Sequence, residues 1–220
     1  MSVLATYFKK DETPALPTPQ SHEQGRRSSI GSRLRRPGGG VYWLENPGTI
    51  GGGDWAHHRM VSEDDGHKVM MLDLVDLYGV GAPVDVVVAE RDGVLLLAPR
   101  FDVYKEWRAT HLTCDDDQWV GDVKSATAGD LDGDGIAELV LSCENAVDGR
   151  SGMFYLRRNP GEAWDSKTAC SPPVDVAGRA GTKFDLVRLA DIDMDGYLDV
   201  VTSEEEAGLG VVWYRNPLGR

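Results

Sequence analysis

The chain has 220 residues, of which 41% are hydrophobic and 27% are charged, and this composition excludes wholesale disorder. Its formal net charge of −13 argues against a nucleic-acid partner, because binding to phosphates requires a basic surface. No run of about 18 apolar residues occurs, so the sequence predicts no membrane-spanning helix. The three cysteines, Cys114, Cys143 and Cys170, lack metal-site spacing and cannot complete a disulfide framework.

The first 40 residues differ in charge from the rest of the chain. They contain 7 Lys and Arg against 3 Asp and Glu, a net charge of +4, which leaves −17 for residues 41–220. Their Pro-Thr-Pro, Ser-Ser and Arg-rich pieces show no apolar periodicity. We therefore expect a disordered basic segment at 1–38 and a folded region at 39–220. No export signal is visible, because no apolar stretch follows Arg26 and Arg27.

One strand-like element recurs four times in the folded region. Each copy opens with glycine, continues with aromatic or β-branched residues and ends at proline, as expected for a strand followed by a turn. The opening glycines are separated by 53, 59 and 58 residues. The copies are Gly40-Val-Tyr-Trp-Leu-Glu-Asn-Pro47, Gly93-Val-Leu-Leu-Leu-Ala-Pro99, Gly152-Met-Phe-Tyr-Leu-Arg-Arg-Asn-Pro160 and Gly210-Val-Val-Trp-Tyr-Arg-Asn-Pro217.

Two further elements recur between these strands. Short apolar runs, typical of strands buried on both faces, occupy 84–89, 137–142 and 198–203. A tryptophan-containing element opens each unit, near Trp55, Trp107 and Trp164. Several short strands per period of roughly 50–60 residues predict an all-β fold, a β-propeller with four-stranded blades. The predicted units are 48–99, 100–160 and 161–217, preceded by an orphan strand at 40–47.

Three units and one strand are fewer than the roughly four to eight blades with which propellers usually close. We therefore expect unpaired sheet edges at both ends of the repeat region. Two explanations stay open: the chain is part of a larger propeller, or copies self-associate through the open edges to complete the ring. We favour the larger propeller over self-association, and both over an open stack of three blades.

Two acidic loops, at 130–138 and 191–199, carry the sharpest chemical signal. In each, carboxylates at loop positions 1, 3, 5 and 9 and the carbonyl at position 7 can converge on one hard cation. Glycine at position 6 permits the sharp turn. Four carboxylates per ion favour calcium, so we predict two Ca²⁺ ions. The predicted ligands are Asp130, Asp132, Asp134, Ile136 (carbonyl), Glu138, Asp191, Asp193, Asp195, Tyr197 (carbonyl) and Asp199.

Other interpretations of the acidic loops are an EF-hand and a metal-free turn. An EF-hand fails, because position 12 is Leu141 or Thr202 and both lie in strand-like runs. Asp- and Gly-rich turns without metal stay open as the alternative to calcium. The first unit keeps Asp73 as a leading aspartate but has Val75 at position 3, so we expect no tight calcium site there.

Catalytic motifs are missing from the sequence, which holds no serine elbow, zinc helix or phosphate-binding glycine loop. We therefore expect no enzymatic activity, and we interpret His58 and His111 as structural residues beside a repeated tryptophan. Six positions before the leading aspartates lie His67, Lys124 and Asp185, which in a propeller would approach the axis. A solvated rim is the preferred interpretation of these three, with a ligand site as the alternative.

These features resemble the FG-GAP/VCBS repeats, the family of integrin-alpha-type propellers and many secreted bacterial propellers. The resemblance covers about 40–217 and rests on Ala190-Asp-Ile-Asp-Met-Asp-Gly-Tyr-Leu-Asp-Val-Val201, on the closing Gly-Val-Val-Trp-Tyr-Arg-Asn-Pro and on Trp55-Ala-His-His58. It implies a calcium-braced, extracellular or periplasmic propeller that binds a protein or a glycan for adhesion or ligand display. The alternative is the propeller part of a larger secreted carbohydrate-active enzyme, similar to an aldos-2-ulose dehydratase-like sugar lyase.

Overall fold

The computed structural model describes eight stretches of the chain: 40–48, 55–62, 69–81, 85–100, 106–113, 120–164, 172–178 and 180–219. The predicted disordered segment at 1–38 lies outside these stretches, as do His67, Cys114 and Cys170. Within them the backbone forms β-strands and turns and no helix, as the sequence predicts. Consequently these stretches contain no helix that could cross a membrane.

Thirteen strands lie in the described stretches, and most are five to eight residues long. They are β1 (Gly40–Glu45), β2 (Ala56–Ser62), β3 (Val69–Val75), β4 (Asp85–Glu90), β5 (Gly93–Pro99), β6 (Trp107–Thr113), β7 (Asp122–Gly129), β8 (Glu138–Glu144), β9 (Met153–Leu156), β10 (Val174–Asp175), β11 (Arg188–Ala190), β12 (Asp199–Glu204) and β13 (Gly210–Tyr214).

The strands form four antiparallel sheets that follow one another along the chain. Their strand orders are β1-β2, β3-β4-β5-β6, β7-β8-β9-β10 and β11-β12-β13. The predicted orphan strand has a partner, because β1 pairs with β2, the element that begins just after Trp55. All six residues of β4 are buried, which explains its unbroken apolar run. Small consecutive antiparallel sheets of this kind are propeller blades, so the predicted fold class is confirmed.

Apolar side chains fill the space between consecutive sheets and give the molecule three inter-sheet cores. Fully burying one such side chain contributes roughly 1.5–3 kcal/mol, so face-to-face packing holds the sheets together. Representative pairs are Trp43 with Val88 between the first two sheets, Leu96 with Phe154 between the second and third, and Met153 with Val200 between the third and fourth.

The first strand of each later sheet lies next to its counterpart in the neighbouring sheet. Strand β7 packs against β3 on one side and against β11 on the other. These three strands are therefore the innermost strands of their blades. The acidic loops join an innermost strand to the second strand of the same sheet, at 130–138 between β7 and β8 and at 191–199 between β11 and β12. Both loops thus occupy equivalent places in two blades.

Candidate metal centres

Carboxylates of the loop between β7 and β8 bind the amides of the same loop. Asp130 accepts hydrogen bonds from the amides of Gly133 (2.7 Å) and Gly135 (2.8 Å). Asp134 accepts one from the amide of Ile136 at 2.8 Å. Gly133 and Gly135 have φ angles of 79° and 85°, a left-handed conformation that glycine adopts without steric cost. The glycines therefore let the leading aspartate reach two amides at once.

Glu138 closes the same loop from the first position of β8. It is only 3% exposed, and its Oε2 accepts a hydrogen bond from the Leu131 amide at 2.8 Å. Burial, and to a smaller extent the nearby negative charge of Asp132, raise the pKa of Glu138 above its ordinary value. A bound cation would stabilise the charged form of such a carboxylate.

The loop between β11 and β12 repeats this hydrogen-bonding pattern. Asp191 accepts hydrogen bonds from the amides of Asp195 and Gly196, both at 3.0 Å. Asp199 is fully buried, and its Oδ2 accepts one from the Ile192 amide at 3.1 Å. In both loops, therefore, the carboxylate at position 1 accepts a hydrogen bond from the amide at position 6, and the carboxylate at position 9 accepts one from the amide at position 2.

The carboxylates at position 9 differ in their surroundings. Burial acts to raise the pKa of Asp199, but hydrogen bonds from the backbone amides of Asn216 and Ile192 outweigh it and hold that pKa below its ordinary value. The Asn216 amide donates to Asp199 Oδ1 at 2.7 Å, in addition to the Ile192 bond at Oδ2. Glu138 has one such amide partner where Asp199 has two, which explains why their pKa values move in opposite directions.

The arginine that directly follows the third strand of the sheet contacts each acidic loop. Arg157 Nη2 lies 3.0 Å from Asp132 Oδ2, and Arg215 Nε lies 2.5 Å from Asp193 Oδ2. Arg215 also reaches Asp195 through Nη2 at 3.1 Å. The second oxygen of Asp193 is buried and has no hydrogen-bond partner in the described part of the chain. The aspartate at position 3 thus forms an ion pair with an arginine in both loops, and Asp193 also keeps one oxygen that can accept a further bond.

Three of the four predicted carboxylates converge in each loop. Ligand atoms of Asp130, Asp132 and Glu138 all lie within 4.8 Å of one another, and the same holds for Asp191, Asp193 and Asp199. The position-5 aspartates, Asp134 and Asp195, are outside these groups, and each accepts the amide of the residue two positions later. Those two amides belong to Ile136 and Tyr197, the predicted carbonyl donors. The all-oxygen donor sets and the unsatisfied Asp193 oxygen fit a hard cation such as Ca²⁺.

The loop between β3 and β4 has the same frame but a different leading residue from the one predicted. Asp76 accepts hydrogen bonds from the amides of Val80 (2.9 Å) and Gly81 (2.6 Å), and the Val80 bond is the main reason why the pKa of Asp76 is lowered. Asp85 accepts a bond from the Leu77 amide at 3.3 Å, as the position-9 residues do in the other loops. Counted from Asp76, Gly81 falls at position 6.

The interpretation of Asp73 as the leading aspartate was wrong, because Asp73 lies on β3 and its carboxylate contacts other strands. With Asp76 as position 1, positions 3 and 5 are Tyr78 and Val80, which carry no carboxylate. The expectation that this loop lacks a tight calcium site stays a prediction. The loop shows that the hydrogen-bonded frame forms with a single leading aspartate.

The structure brings together two of the three residues that were predicted to approach the axis. The Lys124 ammonium group contacts the Asp185 carboxylate and lies 3.6 Å from carboxylate oxygens of Glu144 and Glu205. Burial acts to lower the pKa of Lys124, but the hydrogen bond and charge of Asp185 outweigh it and raise that pKa. The cluster joins residues of the third and fourth sheets, which suits an ion-pair network between blades.

His58 packs within the first sheet in the manner of a structural residue. Its ring stacks on Trp43 with centroids 4.0 Å apart, and its Nε2 lies 2.9 Å from Glu45 Oε2. Both contacts join β2 to β1. The ring that stacks on His58 is therefore Trp43 of the glycine-led strand, whereas the sequence had associated this histidine with Trp55.

His111 belongs to a third group of side chains that could hold a metal ion. Its Nε2 lies 2.8 Å from Glu90 Oε2 and 3.7 Å from Asp92 Oδ1. Sequence reasoning missed this group, because the residues come from β4, the turn after it and β6. Only the register of the sheet, with Leu95 opposite His111, brings them together.

A pocket of about 190 Å³ lies between the last two sheets, beside both acidic loops. Aromatic, guanidinium and amide groups line it together with apolar side chains. Its lining residues include Leu131, Tyr155, Arg157, Tyr214, Arg215 and Asn216. The guanidinium of Arg157 lies 5.6 Å from the centre of the Tyr155 ring. We call this cavity the inter-sheet pocket.

Comparison with known families supports the resemblance seen in the sequence. Residues 130–202 match the model of the FG-GAP-like repeat. This segment of the chain is therefore similar to the FG-GAP-like repeat. The matched segment begins at the leading aspartate of the first acidic loop and contains the whole of the second, so it includes both candidate metal centres. No curated protein matches the chain.

Proposed function

We propose that this chain is a calcium-stabilised β-propeller repeat module that binds a ligand and has no catalytic activity of its own. The observation that carries the proposal is duplication. The loops 130–138 and 191–199 bring carboxylate oxygens together in the same way, on the same hydrogen-bonded frame, between equivalent strands of two blades. The loop at Asp76 has the same frame without converging carboxylates, so the feature that supports a cation is the convergence of three carboxylates in both of the other loops.

The carboxylates of each loop would hold the cation and so fix the turn between the innermost and second strands. Within each loop three carboxylates repel one another at close range, and the arginine neutralises part of that charge. A divalent cation would remove the remaining repulsion. Because the loop amides already bind the carboxylates, the frame is largely formed before a cation binds, and binding stabilises the folded chain.

Calcium titration of the chain by isothermal calorimetry tests this proposal. We expect two ions per chain, and we expect Asp132→Ala and Asp193→Ala each to remove one. Asp76→Ala is the matched control, since its loop has the same frame without carboxylates at positions 3 and 5, and the count should stay at two. Absence of binding, or a count that neither aspartate variant changes, would contradict the proposal.

A glycan is the ligand class that the inter-sheet pocket favours over a protein. Tyr155 and Tyr214 offer partly exposed aromatic rings, and the guanidinium groups of Arg157 and Arg215 lie among the polar groups that line the pocket. Rings that stack and polar groups that converge are the usual means of holding a polar ring-shaped ligand. The extracellular or periplasmic location implied by the family would also supply calcium, which is scarce in the cytosol.

A glycan array and a turnover assay with the same glycans together test the ligand and the absence of catalysis. We expect saturable binding without product, and we expect Tyr155→Ala to weaken it. Val147→Ala serves as the control, because Val147 is exposed and is not among the pocket residues. Product formation would instead support the alternative of a carbohydrate-active enzyme. Absence of glycan binding would leave a protein as the ligand class.

A further inference from the structure

A histidine and two carboxylates meet at one end of the second sheet. The Nε2 atom of His111 lies 2.8 Å from Glu90 Oε2 and 3.7 Å from Asp92 Oδ1. Ligand atoms of all three side chains lie within 4.8 Å of one another. The residues come from β6, from the last position of β4 and from the two-residue turn between β4 and β5. We call these three residues the histidine group.

The register of the second sheet explains why these side chains can meet. Glu90 pairs with Gly93 of β5. On its other side Gly93 pairs with Thr113, two residues after His111 on β6. Residues two apart on a strand point to the same face, so Glu90 and His111 lie on one face of the sheet, on either side of β5. Gly93 stands between them without a side chain, and the two groups reach each other across the strand.

The last residue of the second strand is a glutamate in three successive sheets, and its partner differs from sheet to sheet. Glu204 accepts hydrogen bonds from backbone amides, and Glu144 lies 3.6 Å from the ammonium group of Lys124. In the second sheet the imidazole of His111 takes this place beside Glu90. Of the three glutamates, Glu90 alone belongs to a group of side chains that could hold a metal ion in the described part of the chain.

One hydrogen bond from His111 cannot compensate both carboxylates of the group. The Nε2 atom of an imidazole carries at most one proton, whereas carboxylate oxygens of Glu90 and Asp92 both lie near it. Glu90 is 2% exposed, and both atoms of the 2.8 Å contact are shielded from water. A metal ion on Nε2 would lie beside both carboxylates and neutralise them together.

We infer that the histidine group binds one divalent transition-metal ion of the zinc class. Zinc accepts imidazole nitrogen together with carboxylate oxygen, whereas calcium takes oxygen ligands. With metal–ligand distances of about 2.0–2.1 Å, two ligands of a tetrahedral zinc ion lie about 3.3 Å apart. The distances from His111 to Glu90 and to Asp92 lie on either side of this separation. Each differs from it by about half an ångström, which a small side-chain rotation covers.

The ion would connect β4 to β6, the last strand of its sheet, across β5. Three protein ligands leave the fourth position of zinc to water or to an oxygen of a bound molecule. The side chains of His111 and Asp92 are 33% and 70% exposed, so the ion can enter from solvent. The group is independent of the proposed calcium centres, which lie in the other two sheets. Zinc binding should therefore stabilise the folded chain with or without calcium.

Calorimetric titration of the full chain with Zn²⁺, in millimolar Ca²⁺ to occupy the acidic loops, tests the inference. We expect one zinc ion to bind, and we expect His111→Gln and Asp92→Asn each to raise its dissociation constant tenfold or more. Asp92→Asn is the milder variant, because Asp92 is an exposed turn residue. His57→Gln is the matched control, an exposed histidine outside the group, and it should leave the constant unchanged.

Cobalt(II) in place of zinc reports the ligands directly. Four-coordinate cobalt absorbs visible light more strongly than the hydrated ion, so the wild type should show a band that His111→Gln loses. Circular dichroism melts establish whether each variant is folded. If His111→Gln does not fold, Asp92→Asn decides the question alone.

Three results would overturn the inference. Absence of zinc binding would reduce the group to an ion pair. Zinc binding that both His111→Gln and Asp92→Asn leave unaltered would place the metal elsewhere on the chain. Zinc binding that is lost in Asp132→Ala or Asp193→Ala instead would place it in the acidic loops.

Discussion

Arg188 and Asp73 form an ion pair, with Nη1 3.1 Å from Oδ2, although 115 residues separate them in the chain. The same Asp73 oxygen accepts a hydrogen bond from the Thr127 hydroxyl at 2.8 Å. The three residues lie on β11, β3 and β7, the innermost strands of three successive sheets. One carboxylate therefore links three blades near their shared axis.

Two substitutions of Asp73 distinguish the contribution of its ion pair with Arg188 to stability from that of its hydrogen bond with Thr127. Asp73→Asn keeps an acceptor for Thr127 and loses the ion pair, so the free energy of unfolding should fall by at most about 1 kcal/mol. Asp73→Ala also leaves the Thr127 hydroxyl, which is 3% exposed, without this acceptor, and the loss should reach about 1–3 kcal/mol. Urea denaturation measures both.

Salt identifies the electrostatic part of the Asp73 link. At about 1 M salt the Asp73→Asn variant should approach the wild type, because partly exposed charges are screened there. Asp148→Asn is the control, since Asp148 has a φ of 58°, which asparagine tolerates, and it should change stability little. Equal losses for Asp73→Asn and Asp73→Ala would contradict this account of the link.

In the wild-type chain, the arginines beside the acidic loops should reduce the affinity for calcium. Arg157 and Arg215 place a positive charge on the position-3 aspartates, where a cation would also bind. Arg157→Gln and Arg215→Gln should therefore lower the calcium dissociation constant of their own loop severalfold, because the competing charge is gone. Calorimetric titration measures the change. Arg158→Gln should leave the constant unaltered, because Arg158 is adjacent to Arg157 and forms no ion pair with the described residues.

The opposite result would assign the arginines a positioning role. If Arg157→Gln or Arg215→Gln weakened calcium binding, the arginine would be positioning the aspartates rather than competing with the cation. The melting temperature without calcium should fall in both variants under the competition account, because the loop carboxylates then lose the countercharge that the arginine supplies.

Glu204 is the clearest case of a charged group that the fold requires. It is 2% exposed, and its two oxygens accept hydrogen bonds from a ring of backbone amides. Burial acts to raise its pKa, but these amides, the Ala207 amide first, lower it to about 2. The donors are the amides of Thr182, Lys183, Glu206, Ala207 and Leu209.

Stability should depend on Glu204 at acidic pH in a definite direction. Its pKa falls from 4.5 when unfolded to about 2 when folded, so its contribution is complete above about pH 4.5 and is lost as the pH falls toward 2. Glu204→Gln should lower the free energy of unfolding at pH 7 by about 2 kcal/mol. Urea denaturation between pH 7 and 2 should show the difference shrinking below pH 4.5. The exposed neighbour Glu206→Gln is the control, and a difference independent of pH would contradict the assignment.

The sequence predicted the features that depend on short-range spacing. The recurring glycine-led strands and the two acidic loops are local patterns, since each leading aspartate binds amides within five residues of itself. The same locality explains the error at Asp73. The leading position is defined by an aspartate whose side chain reaches the following amides, which Asp76 does, and not by the spacing of acidic residues along the strand.

The remaining features depend on which strands become neighbours, which residue spacing does not encode. Arg215 directly follows the third strand of its sheet, 22 residues after Asp193, and Arg188 meets Asp73 across three sheets. The group of His111 with Glu90 and Asp92 needs the register of three strands.

A thermal melt of the full chain with millimolar Ca²⁺ and with excess EGTA tests the central claim most directly. Calcium at a hundredfold excess over its dissociation constant stabilises the folded state by about 2.7 kcal/mol for each site. The melting temperature should therefore rise by about 5 °C or more, and the rise should disappear when Asp132→Ala and Asp193→Ala are combined. An identical melting temperature in calcium and in EGTA would contradict the claim and would reduce both loops to hydrogen-bonded turns.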